Sequence, residues 1–396
     1  MTVAKRWEDA VMSASGIEIV ECTTPQQRDE FIFFQWVPYQ GNPYWVPPLI
    51  SERREFYDKA RHPFHQHADV AMFLAKRGGQ TVGTIYATDN RAHNEFQHEN
   101  IGMFGGFECL NDQTVAHALL GRAEDWLRAR GRSAVRGPFN FSTNEECGLL
   151  IDAFDDAPRV MMTYNPPYYR DLIEHAGYTK AMDLLAYNIE VNAKVGLDQF
   201  PPKLKRVMDK TMQRDGIVIR QIDVNHLDEE VARIIPIYNS SWAKNWGFVP
   251  MTDAEFEHLT HGLKDVFDPD LLLVVEAKGQ PVGVALTLPD LCDPLRRAYA
   301  KPGTPEWWTL LKFMFNYRVR KTQKYIRVLI MGVLPEYRRS GIDALLMATT
   351  ADAAMKKGYT LGEASWILEN NGPMRQGLEN IGWKVYKTYR VFEKAL

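Results

Sequence analysis

Cysteine is scarce in this chain. Its 396 residues hold four, Cys22, Cys109, Cys147 and Cys292, far apart and with no CxxC pair. That spacing excludes a disulfide framework or zinc ribbon and points to a reducing compartment, the cytoplasm. Long apolar runs are also missing. No stretch of about 18 such residues occurs, so nothing in the sequence spans a membrane. Residues 1–16 carry Lys5, Arg6, Glu8 and Asp9 and lack the apolar core of a signal peptide. Charge of one sign is not in excess either. Lysine plus arginine number 47 against 50 acids, a net charge of −3, which gives no overall pull toward nucleic acid. With 45% hydrophobic and 24% charged residues, the composition is that of an ordinary globular protein of two or three domains.

What is present is a duplication. Asp69-Val70-Ala71-Met72-Phe73-Leu74-Ala75 leads into Gly79-Gln80-Thr81-Val82-Gly83. Asp270-Leu271-Leu272-Leu273-Val274-Val275-Glu276-Ala277 leads into Gly279-Gln280-Pro281-Val282-Gly283. Each reads as a β-hairpin, a strand, a glycine turn and a strand opening with Val-Gly. Asn165 precedes Glu174-His175-Ala176-Gly177-Tyr178, and Asn370 precedes Glu379-Asn380-Ile381-Gly382-Trp383. A strand follows each, at 184–191 and 385–392. Similarity at this scale means two copies of one domain.

The most informative stretch lies in the second copy. Residues 328–333 form an apolar run that reads as a buried strand, and Pro335 ends it. A short Arg/Ser/Gly turn follows, then an apolar-periodic helix from Ala344 to Ala354. A strand that feeds a helix through a glycine turn leaves unpaired N–H groups at the positive end of the helix dipole, an anion site. Arg338 and Arg339 add charge there. An ordinary βα turn with solvated arginines is the alternative.

The segment resembles motif A of the GNAT superfamily of acyl-CoA N-acyltransferases, whose Arg/Gln-x-x-Gly-x-Gly/Ala pattern cradles the coenzyme A pyrophosphate. Arg338, Ser340, Gly341 and Ile342 fit; Asp343 stands where Gly or Ala is usual. The departure leaves open whether the donor is acyl-CoA or the phosphopantetheine thioester of an acyl carrier protein. The resemblance implies two tandem GNAT-like domains, each a mostly antiparallel mixed α/β sheet flanked by helices. The expected division is residues 1–195 and 196–396. The equivalent helix of the first copy, 113–131, is entered by Glu108-Cys109-Leu110-Asn111-Asp112, with no such pattern and two acids. The first copy is therefore expected to have lost the donor site.

The resemblance also suggests roles. The strand before motif A, with Met331, Gly332 and Val333, lies along the donor arm, and a backbone amide there polarises the thioester. Bases in such enzymes are often a strand-end Glu and acids a Tyr of the last helix or strand, which points to Glu363 and to Tyr386 or Tyr389. The two tyrosines are three residues apart on a strand and face opposite sides, so only one enters the site. Asn370, at the next helix start, joins the candidates. A salt bridge from Glu363 to an arginine such as Arg390 is the structural alternative. No Ser-His-Asp or Cys-His pattern suggests a covalent intermediate, and the cluster His62, His65 and His67 has no zinc-like partner. No metal is expected.

An insert at about 291–327 holds nine basic residues and two acids, interleaved with Tyr299, Trp307, Trp308, Phe313, Phe315, Tyr317 and Tyr325. A helix is expected from Trp307 to about Arg320. Its mix of apolar and basic residues suits a membrane surface, or a helix packed with its basic face outward. A second aromatic segment, with Trp242, Trp246 and Phe248, falls on the acceptor side and suits a long apolar chain. The whole pattern is similar to a bacterial family of tandem GNAT-like proteins, some implicated in ceramide synthesis. The shared motifs are Trp45-Val46-Pro47-Pro48, Asn165-Pro166-Pro167-Tyr168-Tyr169, Asn245-Trp246-Gly247-Phe248 and Ser365-Trp366-Ile367-Leu368-Glu369-Asn370-Asn371. Three functions follow: long-chain N-acylation of a lipid amine such as a sphingoid base, N-acetylation of a small amine or protein, and a non-catalytic scaffold that binds an acyl donor.

Overall fold

The computed structural model describes residues 16–214, 216–338 and 340–396. The first half runs β1 (Glu18–Glu21), α1 (Pro25–Phe34), α2 (Ile50–Phe56), β2 (Ala68–Arg77), β3 (Gln80–Asn90), α3 (Arg91–Gln97), β4 (Ile101–Cys109), α4 (Gln113–Arg128), β5 (Ala134–Gly137), β6 (Leu149–Leu150), α5 (Tyr169–His175) and β7 (Thr179–Glu190). The second runs α6 (Pro202–Met212), β8 (Ile217–Gln221), α7 (Leu227–Trp242), α8 (Asp253–Leu263), β9 (Leu272–Ala277), β10 (Gln280–Pro289), α9 (Cys292–Ala298), α10 (Glu306–Met314), β11 (Tyr325–Val333), α11 (Ile342–Lys356), β12 (Leu361–Leu368), α12 (Gly372–Glu379) and β13 (Lys384–Ala395).

Both repeated segments form hairpins, β2–β3 and β9–β10, each antiparallel. The repeated Val-Gly has a packing reason. A Cβ on Gly83 would lie 2.7 Å from Leu119 of α4, and one on Gly283 would lie 2.8 Å from Ile342 of α11. In each half, glycine lets the helix of the motif A position sit directly on the sheet.

The chain divides into two compact units. The first takes residues up to Asp183, with Ala298–Lys312 and Tyr389–Leu396. The second takes Leu184–Arg297 and Phe313–Thr388. In the first, β1, β2, β3 and β4 pair antiparallel in sequence order, β4 pairs parallel with β5, and the end of β13 pairs antiparallel with β5. In the second, β8, β9, β10 and β11 are antiparallel, β11 is parallel to β12, and β7 closes the sheet antiparallel to β12. The single parallel pair falls at the same place in both. Each unit thus includes a strand taken from the other half of the sequence.

The cores follow the helix periodicity. In the first unit α4 buries Val115, Leu119, Ala123 and Leu127 against Phe73, Ile85 and Phe104. In the second, α11 buries Ile342, Leu345 and Leu346 on one face of the sheet. On the other face α7 and α8 bury Ile234, Tyr238 and Phe256 against Val274, Val284 and Ile330. Each such large apolar side chain contributes about 1.5–3 kcal/mol. Among the described residues, no helix is long and apolar enough to cross a membrane.

Candidate active site

The anion turn has the form that its residues require. Gly341, at φ +90°, is the cap of α11 and offers no side chain to the first-turn amides. A Cβ there would lie 2.4 Å from Thr211 Oγ1 and 2.8 Å from Val207. Glycine is therefore needed for contact with α6, on the protein side of the turn. Thr211 also donates to the Ser340 carbonyl at 3.2 Å. The Ser340 hydroxyl is buried with no hydrogen-bond partner among the described residues. Arg338 is exposed and donates to the Ser241 carbonyl at 3.1 Å, which ties the turn to α7. Asp343 is exposed on the first turn. Arg339 lies outside the described residues. Uncapped amides, an orphaned hydroxyl and a nearby guanidinium fit a phosphate.

Ahead of this turn the sheet opens. The β11–β12 ladder runs only from Tyr325↔Leu361 to Val328↔Ala364, although β11 continues to Val333 and β12 to Leu368. Two irregularities part the strands. On β11 the register with β10 jumps from Val328 to Ile330, leaving Leu329 as a bulge. On β12 the register with β7 breaks between Ala364 and Ile367. A bulge bends its strand and re-aims the residues beyond it. Ile330, Met331, Gly332 and Val333 therefore border a wedge that leads to the anion turn. Trp242 roofs it from α7, for a Cβ on Gly332 would meet its ring at 2.6 Å.

Glu363 sits where the wedge begins. It is 1% exposed. Ser365 Oγ donates to its Oε1 at 2.5 Å, and the Tyr386 hydroxyl donates to Oε2. Arg327, its register partner on β11, holds Nε 3.7 Å from Oε1. The guanidinium also donates to Ser365 Oγ at 2.8 Å and to the Ser365 carbonyl at 3.1 Å. The buried carboxylate is thus partnered by a cation and two hydroxyls, which offset its desolvation. Arg390 is not that cation; it pairs with Asp183 at 2.8 Å in the first unit. Sequence alone does not single out Arg327 as a site residue. Counted within a basic insert, it looked like surface charge, and only the strand register places it opposite Glu363.

The other candidates scatter. Tyr389 is buried in the first unit, in register with Leu150. Asn370 is exposed in the turn after β12. Phe248 is buried, with its ring 5.6 Å from that of Tyr238. Trp246 is half-buried.

The first unit closes the same features with its own atoms. Asp112 caps α4, accepting from the Thr114 and Val115 amides at 2.9 and 3.3 Å, and pairs with Arg77 at 2.7 Å. Partial burial pushes this carboxyl up, but Arg77 and the two amides hold it below its usual range. The segment after β5 returns to β4, where the Phe139 amide donates to the Phe104 carbonyl at 2.8 Å. Glu108, at the end of β4, accepts from Tyr169 at 2.7 Å and Tyr39 at 3.3 Å. Burial pushes it up to about 8 despite those bonds and the nearby Arg53.

The insert is more exposed than a packed helix. Trp307 is 62% exposed and Val319 67%, and Trp308, Leu311 and Phe315 are exposed as well. The expected helix is α10, continued by a π-helical segment, Phe315–Arg320. Not all its basic residues face outward. Arg327 is buried in β11, and Arg296 and Arg297 pair with Asp293 at 2.9 and 2.8 Å. In the histidine cluster His62 and His65 pack against Phe141 and His67 against Phe64, and His62 lies 3.2 Å from Glu145.

Comparison with known proteins gives the following. No protein-family model matches the chain. It is 37% identical over 387 residues to a bacterial ceramide synthase of Caulobacter vibrioides, covering 96% of this chain and 98% of that one. It is 36% identical over 370 residues to protein YghO of Escherichia coli, covering 92% of each. In structure it matches a tandem GNAT protein of the clavulanic acid biosynthesis pathway with a TM-score of 0.56, over 96% of this chain and 98% of that one, at 10% identity. The fold is therefore mixed α/β and of the tandem GNAT type.

Proposed function

This chain belongs to the family of tandem GNAT proteins that contains the bacterial ceramide synthase of Caulobacter vibrioides and YghO of Escherichia coli, and on that premise we propose that it moves a long-chain acyl group from a CoA or acyl-carrier thioester to the amine of a sphingoid base or similar lipid. As a member of that family it is a GNAT-type acyltransferase with an acyl-CoA-type donor. The observation that carries the reading is the continuity of the uncapped turn at Gly341, the wedge along β11 and the buried Glu363–Tyr386 pair.

In this reading the donor phosphates rest on the first-turn amides of α11 beside Arg338 and Ser340. The thioester lies along Ile330 to Val333, where a strand amide freed by the bulge polarises its carbonyl. The amine nitrogen attacks the carbonyl carbon, the C–N bond forms and the C–S bond breaks. The amine proton passes toward Glu363 through Tyr386, and the departing thiolate takes a proton back by the same route. Arg327 and Ser365 hold the carboxylate in place. Trp242 flanks the acceptor. The first unit, its turn capped by Asp112, contributes structure. The exposed helix α10 would rest on a membrane surface, where such a lipid amine resides.

The test is mass spectrometry of products from purified protein given CoA and acyl-carrier donors of several chain lengths with a panel of amines. Long-chain N-acyl sphingoid products, lost in Glu363→Gln and partly recovered at higher pH where more amine is neutral, are the expected result. Acetylated small amines alone would favour the acetyltransferase, and no product with retained donor binding the scaffold.

A further inference from the structure

Two apolar cavities lie in the second unit, and both reach β11. The first is beneath α11. Ile326, Val328 and Met331 of β11, Gly362 of β12, and Ala348 and Ala351 of α11 line it, with Thr350 and Tyr359 among the few side chains there that carry a polar atom. The second is beneath α7 and α8. Leu329 and Ile330 of β11, Leu286 and Leu288 of β10, and Ile234 and Phe256 line it. One strand serves both because its side chains alternate, and the bulge at Leu329 turns two successive residues to the same face. Protein interiors leave few voids of this kind.

We propose that these cavities hold the two hydrocarbon chains of the reaction: the cavity beneath α11 takes the acyl chain of the donor, and the cavity beneath α7 and α8 takes the tail of the amine. This rests on the N-acyltransferase reading above. Position decides the assignment. Met331 borders the wedge and walls the first cavity, so an acyl group whose carrier is held at Gly341 enters there. Along α11 the lining runs from Met347 to Ala354, a span of about 10 Å at 1.5 Å per residue. An acetyl group needs no such depth. Arg327 alternates with Ile326 and Val328, so it and its register partner Glu363 face the other side of the sheet. Leu288, in register with Arg327, walls the second cavity. An amine at Glu363 therefore has its tail beside that cavity.

The test fills each cavity separately. Ala351→Phe is made for the first and Ile234→Phe for the second, with Ala351→Val and Ile234→Met as smaller steps in case the larger ones fail to fold. Calorimetry measures binding of acetyl-, octanoyl- and palmitoyl-CoA, and mass spectrometry measures which acyl and amine chains appear in product. Ala351→Phe should weaken palmitoyl-CoA binding by roughly tenfold or more while sparing acetyl-CoA, and shorten the acyl chains in product. Ile234→Phe should leave donor binding unchanged and shorten the preferred amine. If wild type binds all three donors and Ala351→Phe or Ala351→Val changes none or all alike, the first cavity is packing space and the proposal fails. If wild type binds no acyl-CoA and acylates nothing from either donor class, the N-acyltransferase reading falls and takes this proposal with it.

Discussion

Glu363 and Glu108 are strand-end carboxylates under tyrosine hydroxyls, and they differ in the charge that faces them. Glu363 has Arg327 in register beside it. Among the described residues Glu108 accepts from two tyrosine hydroxyls, and burial lifts it to about 8. That shift has a sign. The unfolded chain loses this proton near 4.3, and the folded chain holds it to about 8. Between those values the folded state binds more protons, so stability falls as pH rises, by at most about 1.4 kcal/mol per unit, and levels off above 8. Glu108→Gln removes the slope. Thermal melts at pH 5 and pH 9 should show the variant gaining on wild type at the higher pH; parallel melting temperatures would mean the carboxyl is ionised in the fold. Glu363 was legible as an acid in an apolar strand, and the family resemblance pointed to Tyr386 or Tyr389; only the fold brings Tyr386 to the carboxylate and sends Tyr389 to the first unit. Sequence pattern could not find Arg327 or Ser365, since neither is unusual until the register brings it to the carboxylate.

At the scale of elements, α4 and α11 occupy equivalent places and begin in opposite ways. Asp112 satisfies the first with its own charge, whereas Gly341 leaves the second open. Gly341→Ala puts a side chain at a positive φ and against Thr211, a strain on the order of 1–3 kcal/mol. Asp112→Ala loses a cap worth about 1 kcal/mol. Urea titration of both variants, paired with calorimetry of acyl-CoA, should show donor binding lost only in the first. Two equivalent donor sites per wild-type chain would contradict the asymmetry. Helix α10 makes its own prediction. Trp307 and Trp308 are exposed beside Lys312, and Phe315 beside Arg320. Each basic residue near an anionic bilayer is worth roughly 1 kcal/mol. Wild type should co-sediment with anionic vesicles in a salt-sensitive way, and a Trp307→Ala/Trp308→Ala/Arg318→Glu/Arg320→Glu variant should not. Equal sedimentation of the two would leave the helix without a role at a membrane. The helix was legible from its aromatic and basic mixture. Its π-helical end was not, and neither was the burial of Arg327.

At the scale of the molecule, the hairpins were legible because their turns and strands are adjacent in sequence. The strand that each unit takes from the other half of the sequence was not. An alternating strand reads the same whichever neighbour it joins, so nothing in residues 184–191 or 385–392 reveals which sheet each completes. In the first unit the end of β13 pairs Phe392 with Gly137, Arg136 holds Glu393 at 2.6 Å, and Lys394 holds Glu124 at 2.9 Å. Truncation after Thr388 should therefore expose the first unit. Limited proteolysis should cut within residues 16–183 before it cuts within 217–368, and the reverse order would show that the eight residues are dispensable there. The same arrangement has a consequence during translation. Phe392 follows its register partner Gly137 by 392 − 137 = 255 residues, which at roughly 5–20 residues per second leaves β5 without its β13 neighbour for about thirteen to fifty seconds on the ribosome. Through that interval a nascent chain carries an open sheet edge, so its yield in a cell should depend on the chaperones that meet it at the exit tunnel.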